Sequence, residues 1–413
     1  MAELVLYCFD DRGALGEYTF MNRVFQHAKR CLSRQLVLTL AFCVTSILIP
    51  VHGLHAQTTK GTSEFAKELQ KHFNEWDLNK DGQLSDNEID KLVLDPKIKG
   101  RTAAVVATLE LASRRKKDPL PPLTLEYLTA APSKAPGQFN FDRTFASAIT
   151  KIQKAPRNVW GSMDPDLSML HQGRMGDCFF IAPLGALLHR EGKSFKNMIV
   201  VKDTHFEVTF GNGQIVKVKP LTDAEIALGA TSEGQGLWLA ILEKAYAESR
   251  NQSLTQDKQK ELATDLIANG GSYTRVIQAL TGNETRTLAF RSREAKDQPL
   301  SGESLDKKVA QLRPILKKAM AEKRLVAVGT PETAPNPGLK GKHAYAVLAY
   351  DETKDQVTLW NPHGNSFKPK GQPGFENGWP IKDGVFIVST ADLVKSFRGM
   401  GYETDKPLAK TKK

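Results

Sequence analysis

The stretch Gln172-Gly173-Arg174-Met175-Gly176-Asp177-Cys178 constrains this chain more than any other. A polar loop holding two glycines runs into an apolar segment, residues 179–188, that reads as a buried helix. Cys178 stands at the junction. A helix N-terminus carries partial positive charge and free N–H groups, which favour a thiolate over a thiol. Gln172, six residues upstream, can offer its side-chain amide to an oxyanion formed beside the sulfur. A fold built around this stretch has to bring a base to Cys178. The plainer alternative is a structural thiol, because free cysteine is among the most buried residue types.

The other cysteines, Cys8, Cys31 and Cys43, belong to an N-terminal stretch laid out for export. Arg23, Lys29, Arg30 and Arg34 form a positive region, residues 36–51 are apolar, and small Gly53 and Ala56 precede a polar run. The layout predicts a signal peptide cleaved after Ala56, with Met21 as the start and residues 1–20 an upstream extension. The alternative is an uncleaved anchor through 36–51, the one route to membrane contact. Once exported, the chain keeps one thiol, so an intramolecular disulfide is excluded. The net charge of +11 is spread along the sequence and no nucleic-acid-binding motif accompanies it, so no nucleic-acid partner is expected.

After the export segment, Phe65, Leu69, Phe73 and Trp76 share one face of a helix. They lead into a twelve-residue loop, 77–88, with oxygen donors on Asp77, Asn79, Asp81, Ser85 and Glu88, a backbone carbonyl at Gln83, and Gly82 at the sharp turn. This is the spacing of an EF-hand calcium site, and Ca2+ is the expected cofactor. Residues 102–128 read as a degenerate partner hand whose loop lacks the carboxylate set that would bind calcium well. Residues 129–154 read as a linker because their first half is rich in Ala, Pro, Ser and Lys.

Beyond the linker a helical half, 155–282, precedes a strand-rich half, 283–402, and a basic tail, 403–413. Residues 206–210 and 215–218 read as a hairpin, 237–247 as a helix, and 325–328, 344–349, 356–360 and 385–388 as strands. The architecture is α+β, with a cleft between the halves and a small all-α region, 57–128, in front. His343 opens the strand at 344, and Asn361-Pro362-His363 closes the strand at 360. If Tyr350 and Gln356 flank the turn, the register sets His343 opposite His363 with Asn361 beside them. Asn361 could then orient an imidazole serving Cys178. On geometry alone His363 competes with His343 for that place.

Gln172-Gly173-x-x-Gly176-Asp177-Cys178, Leu242-Glu243-Lys244-Ala245-Tyr246, Gly270-Gly271-Ser272, Gly341-Lys342-His343-Ala344-Tyr345, Asn361-Pro362-x-Gly364 and Asp383-Gly384-x-Phe386 occur in this order. Together they resemble the cysteine-protease core of the calpain family over residues 155–402. The resemblance implies a papain-like fold of two subdomains, one carrying Cys178 and the other His343 and Asn361, with Gln172 in the oxyanion hole. It implies a calcium-responsive endopeptidase acting on protein or peptide substrates through an acyl-enzyme. Phe179 and His363 stand where the family usually has tryptophans, and Pro183 lies within the nucleophile helix. The alternatives are a papain-like acyltransferase or amidase, since the triad does not choose the acceptor, and an inactive calcium-binding scaffold.

Overall fold

The computed structural model describes residues 63–115, 118–130, 138–291 and 298–409. The expected export segment lies outside the described residues, as do Cys8, Cys31 and Cys43. Among the described residues no helix is long and apolar enough to cross a membrane.

The chain begins with helices α1 (Glu64–Gln70), α2 (Phe73–Trp76), α3 (Asp86–Leu94), α4 (Gly100–Ser113) and α5 (Leu125–Thr129). Ser63 starts α1 by accepting the Ala66 N–H at 3.1 Å. The anticipated stripe of Phe65, Leu69, Phe73 and Trp76 is buried in one core with the alanines and valines of α4. The loop between α2 and α3 runs beside the segment between α4 and α5. Gln83 bridges Thr124 in antiparallel fashion, and the Leu84 N–H donates to the Leu123 carbonyl at 3.1 Å.

The second half of the expected linker is helix α6 (Phe141–Lys154), begun by Asn140, whose side chain accepts the Arg143 N–H at 2.8 Å. Phe145, Ala148 and Ile152 recur at helical spacing and turn into the core of the preceding helices. Composition over 129–138 hid this helix, while the periodicity after 141 carries it.

Helix α7 (Cys178–Glu191), which Cys178 opens, continues through Pro183. The expected hairpin forms from β2 (Phe206–Thr209) and β3 (Ile215–Val218), and β1 (Ile199–Val201) adds a third strand. Helices α8 (Asp223–Leu228), α9 (Trp238–Gln252) and α10 (Tyr273–Thr281) follow. α9 and α10 share the core of α7. α8 sends Ala224, Ala227 and Leu228 into the core of α1, α4 and α6, so the N-terminal helices and the helical half pack as one body.

The strand-rich half is a six-stranded antiparallel sheet in the order β4-β9-β5-β6-β7-β8. Its strands are β4 (Asn283–Ala289), β5 (Val326–Gly329), β6 (Ala344–Asp351), β7 (Gln356–Trp360), β8 (Val385–Ser389) and β9 (Gly399–Pro407), joined in part by α11 (Gly302–Ala321) and α12 (Thr390–Ser396). Side chains alternate across the sheet. Ala327, Ala344, Ala346 and Trp360 join the core of α7, whereas Val326, Val328, Tyr345, Val347 and Leu359 join that of α11 and α12. This alternation seats α7 directly on β6 and β7. The basic tail expected from 403 begins later, because residues 403–407 continue β9 beside β4. Glu403 holds that end, pairing with Arg190 at 3.0 Å and accepting the Leu325 N–H at 2.8 Å.

Candidate active site

The loop before Cys178 is fastened from three sides. His171 exchanges backbone hydrogen bonds with Thr231, both at 2.9 Å. The Gly176 N–H donates to the Ala268 carbonyl at 2.6 Å, and the Gln172 N–H to the Pro362 carbonyl at 2.8 Å. The last bond ties the loop of one half to the Asn361-Pro362 turn of the other. Gly173 lies so close to the Gly229 carbonyl that a Cβ there would fall 2.4 Å from its oxygen, which explains a glycine in that place.

On the sheet side, the hairpin turn is flanked by Asp351 and Gln356, one residue later on β6 than the sequence suggests. A bulge near Leu348 absorbs the difference, so Ala346 faces Trp360 and the expected register holds at the strand ends that matter. The rings of His343 and His363 accordingly lie against one another, 4.7 Å apart and 11° from parallel.

The two histidines separate by their partners. His343 Nε2 lies 2.7 Å from Asn361 Oδ1, and both residues are buried. Asn361 is itself fixed, since its Oδ1 accepts the His363 N–H at 3.1 Å and its Nδ2 donates to Asn365 Oδ1 at 2.6 Å. Thr330 anchors the His343 backbone, its hydroxyl accepting the His343 N–H at 2.9 Å. His363 instead turns its Nε2 towards Lys340 Nζ, 3.0 Å away. His343, not His363, is the histidine that Asn361 orients.

Cys178 sits at the first position of α7 and is 8% exposed. The backbone of Ala344, next after His343, hydrogen-bonds to its sulfur. Burial nevertheless dominates and pushes the Cys178 thiol up to about 11, against the smaller help of the Ala344 and Phe179 backbone. Burial likewise holds the His343 imidazole down at about 3, aided by the neighbouring His363 and opposed by the Asn361 hydrogen bond. Both groups are therefore neutral here. A helix N-terminus alone argues for a thiolate, and desolvation outweighs it in this site.

Gln172 is the least settled of the expected residues. Its Nε2 donates to the Met175 carbonyl at 2.7 Å, using one of its two N–H bonds, and its Oε1 is buried without a partner. Sequence reasoning also passed over two carboxyls behind this loop. Asp177 is wholly buried and Glu243, on α9, is 1% exposed. Glu243 was visible as a lone acid in the apolar run 237–247.

Away from the cysteine, the carboxylates of loop 77–88 point inward. Asp77 accepts the Asp81 and Gly82 N–H groups at 3.2 and 2.9 Å, and Glu88 accepts those of Leu78 and Ser85, both at 2.8 Å. A second acidic group, Asp90, Glu110 and Asp265, brings one oxygen from each residue within 4.8 Å of the others. Arg114 pairs with both Glu110 and Asp265 there.

The family model of the calpain family cysteine protease matches residues 149–374, a span that contains Gln172, Cys178, His343 and Asn361. Comparison with curated proteins finds none that matches.

Proposed function

The chain belongs to the calpain family of cysteine proteases, and on that basis we propose that it is an endopeptidase working through Cys178, His343 and Asn361. The observation that carries this reading is the 2.7 Å contact of His343 Nε2 with Asn361 Oδ1 beside the buried Cys178. With Nε2 held by Asn361, the other ring nitrogen of His343 is the one free to serve the sulfur. Because thiol and imidazole are both neutral, His343 acts as a general base during attack rather than as half of a standing ion pair.

The Cys178 sulfur bonds to the peptide carbonyl carbon while its proton passes to His343. The oxyanion is met by the Cys178 N–H and the Gln172 amide. The C–N bond breaks as His343 returns the proton to the leaving amine, leaving a thioester. Water then attacks that thioester, His343 takes its proton, and the carboxylic acid departs as the thiol is restored.

Calcium enters this reading through loop 77–88. Asp77, Asn79, Asp81, Ser85 and Glu88 would hold Ca2+ with the Gln83 carbonyl, and the inward carboxylates and all-oxygen donor set suit a hard cation. Its effect would reach the core by packing, because α8 is shared between the two regions. The positive stretch and apolar run ahead of residue 57 support export as the destination. The test is casein cleavage by wild type and by Cys178→Ala, each with calcium and with chelator. Cleavage by wild type alone, stronger with calcium, is expected. Equal cleavage by Cys178→Ala ends the protease reading, and transfer to an added amine in place of hydrolysis would identify an acyltransferase.

A further inference from the structure

Behind the oxyanion loop lies a buried acid pair to which the reaction above gives no role. Among the described residues, both carboxyl oxygens of Asp177 and Oε1 of Glu243 have no hydrogen-bond partner. The two carboxyls adjoin each other, Asp177 at the end of the loop that Gln172 begins. Two carboxylates at such burial cannot both stay ionised. A single proton held between them joins Glu243 Oε1 to one of the two Asp177 oxygens. Glu243 is the donor and Asp177 the acceptor, since Asp177 sits at the N-terminal end of α7, where an anion is favoured.

The charged group facing the pair is Lys151 of α6, which itself has Arg174 as a neighbour. Lys151 donates to the Gly229 carbonyl, and Glu243 Oε2 accepts the Ala230 N–H at 2.9 Å. Those bonds pin residues 229–231, the segment on which His171 and Gly173 rest. The pair therefore touches the catalytic loop twice, through Asp177 and through the floor beneath it.

We propose that Asp177 and Glu243 are positioning residues, a proton-sharing pair that sets the Gln172 amide and the Cys178 end of α7 for the oxyanion. This rests on the protease reading. Glu243→Gln keeps a neutral donor in place, whereas Glu243→Ala removes it. Misplacement of the loop should lower kcat of Glu243→Ala by about 100-fold with KM little changed, while Glu243→Gln stays within about threefold of wild type. Wild-type kcat should fall at alkaline pH as the pair loses its proton, and Glu243→Gln should lack that fall. An unchanged kcat in folded Glu243→Ala, or the same alkaline fall in Glu243→Gln, overturns the proposal. Glu243→Gln carries the test alone if the alanine variant does not fold. Infrared difference spectra give an answer free of turnover: wild type minus Glu243→Gln should show the C=O stretch of a protonated carboxyl at neutral pH. Absence of that band refutes the pair, whereas the band in a wild type that cleaves no peptide refutes the protease reading instead.

Discussion

The reactivity of Cys178 against pH gives the sharpest prediction. Burial places the thiol at about 11 and the imidazole of His343 at about 3. At pH 7 the thiolate fraction is then roughly one in ten thousand, and it rises about tenfold with each pH unit up to about 11. Across that range His343 stays neutral, so no inflection belongs near the ordinary histidine value of about 6.5. The assay is alkylation by iodoacetamide under pseudo-first-order conditions, with the adduct on the Cys178 peptide quantified by mass spectrometry. The logarithm of the rate should climb with a slope near one from neutrality upward. Had the helix N-terminus and an imidazolium prevailed, the rate would be level over the same span. A plateau reached below pH 7 would refute the desolvation argument and restore the ion pair.

Other predictions concern the parts that hold the site. Asn361→Ala removes the partner of His343 along with the bonds to His363 and Asn365, and a loss of about 1–3 kcal/mol in orientation corresponds to a fall in kcat of about 5- to 150-fold. A change smaller than that in steady-state peptide hydrolysis would deny Asn361 its role. Gly185→Ala would set a Cβ 2.4 Å from the Trp360 ring, wedging the helix of Cys178 away from β7, the strand that leads into Asn361. Overpacking of that kind costs about 1–3 kcal/mol, to be read by urea unfolding, and kcat should fall with it. For loop 77–88, calcium at 100 times its dissociation constant should stabilise the protein by about 2.7 kcal/mol in thermal unfolding. Glu88→Gln should abolish that gain, and an equal gain in the variant would remove the loop as the binding site.

Much of this site could be read from residue order. The hairpin register alone puts His343 against His363, because a two-residue side-chain period leaves few alternatives; the turn lies one residue later on β6 than the sequence suggests, and the bulge near Leu348 compensates. His343 and Asn361 meet at 2.7 Å, and the backbone of Ala344, next after His343, reaches the Cys178 sulfur. The electrostatic direction did not follow from sequence, since it depends on how completely Ala344 and the rest of β6 cover a helix end that in isolation would favour an anion. Nor did the partnership of Asp177 with Glu243, which comes from packing α9 behind the loop. The edge strand β4 and its neighbour β9 do not stand out in the sequence, because their solvent-facing Thr, Arg, Glu and Asp residues mask the alternation. Helix α11 did carry a signal, with Val309, Leu312, Leu316 and Ala319 forming its buried stripe between lysines.

The central claim is that the Cys178 sulfur, served by His343, attacks the substrate carbonyl. Its most direct test is labelling with a papain-family epoxide inhibitor, followed by mass-spectrometric location of the adduct in wild type and in His343→Ala. The account predicts one adduct, on Cys178, formed by wild type and slowed at least tenfold in His343→Ala. A wild type that takes no label, or a His343→Ala that labels as fast as wild type, would contradict it.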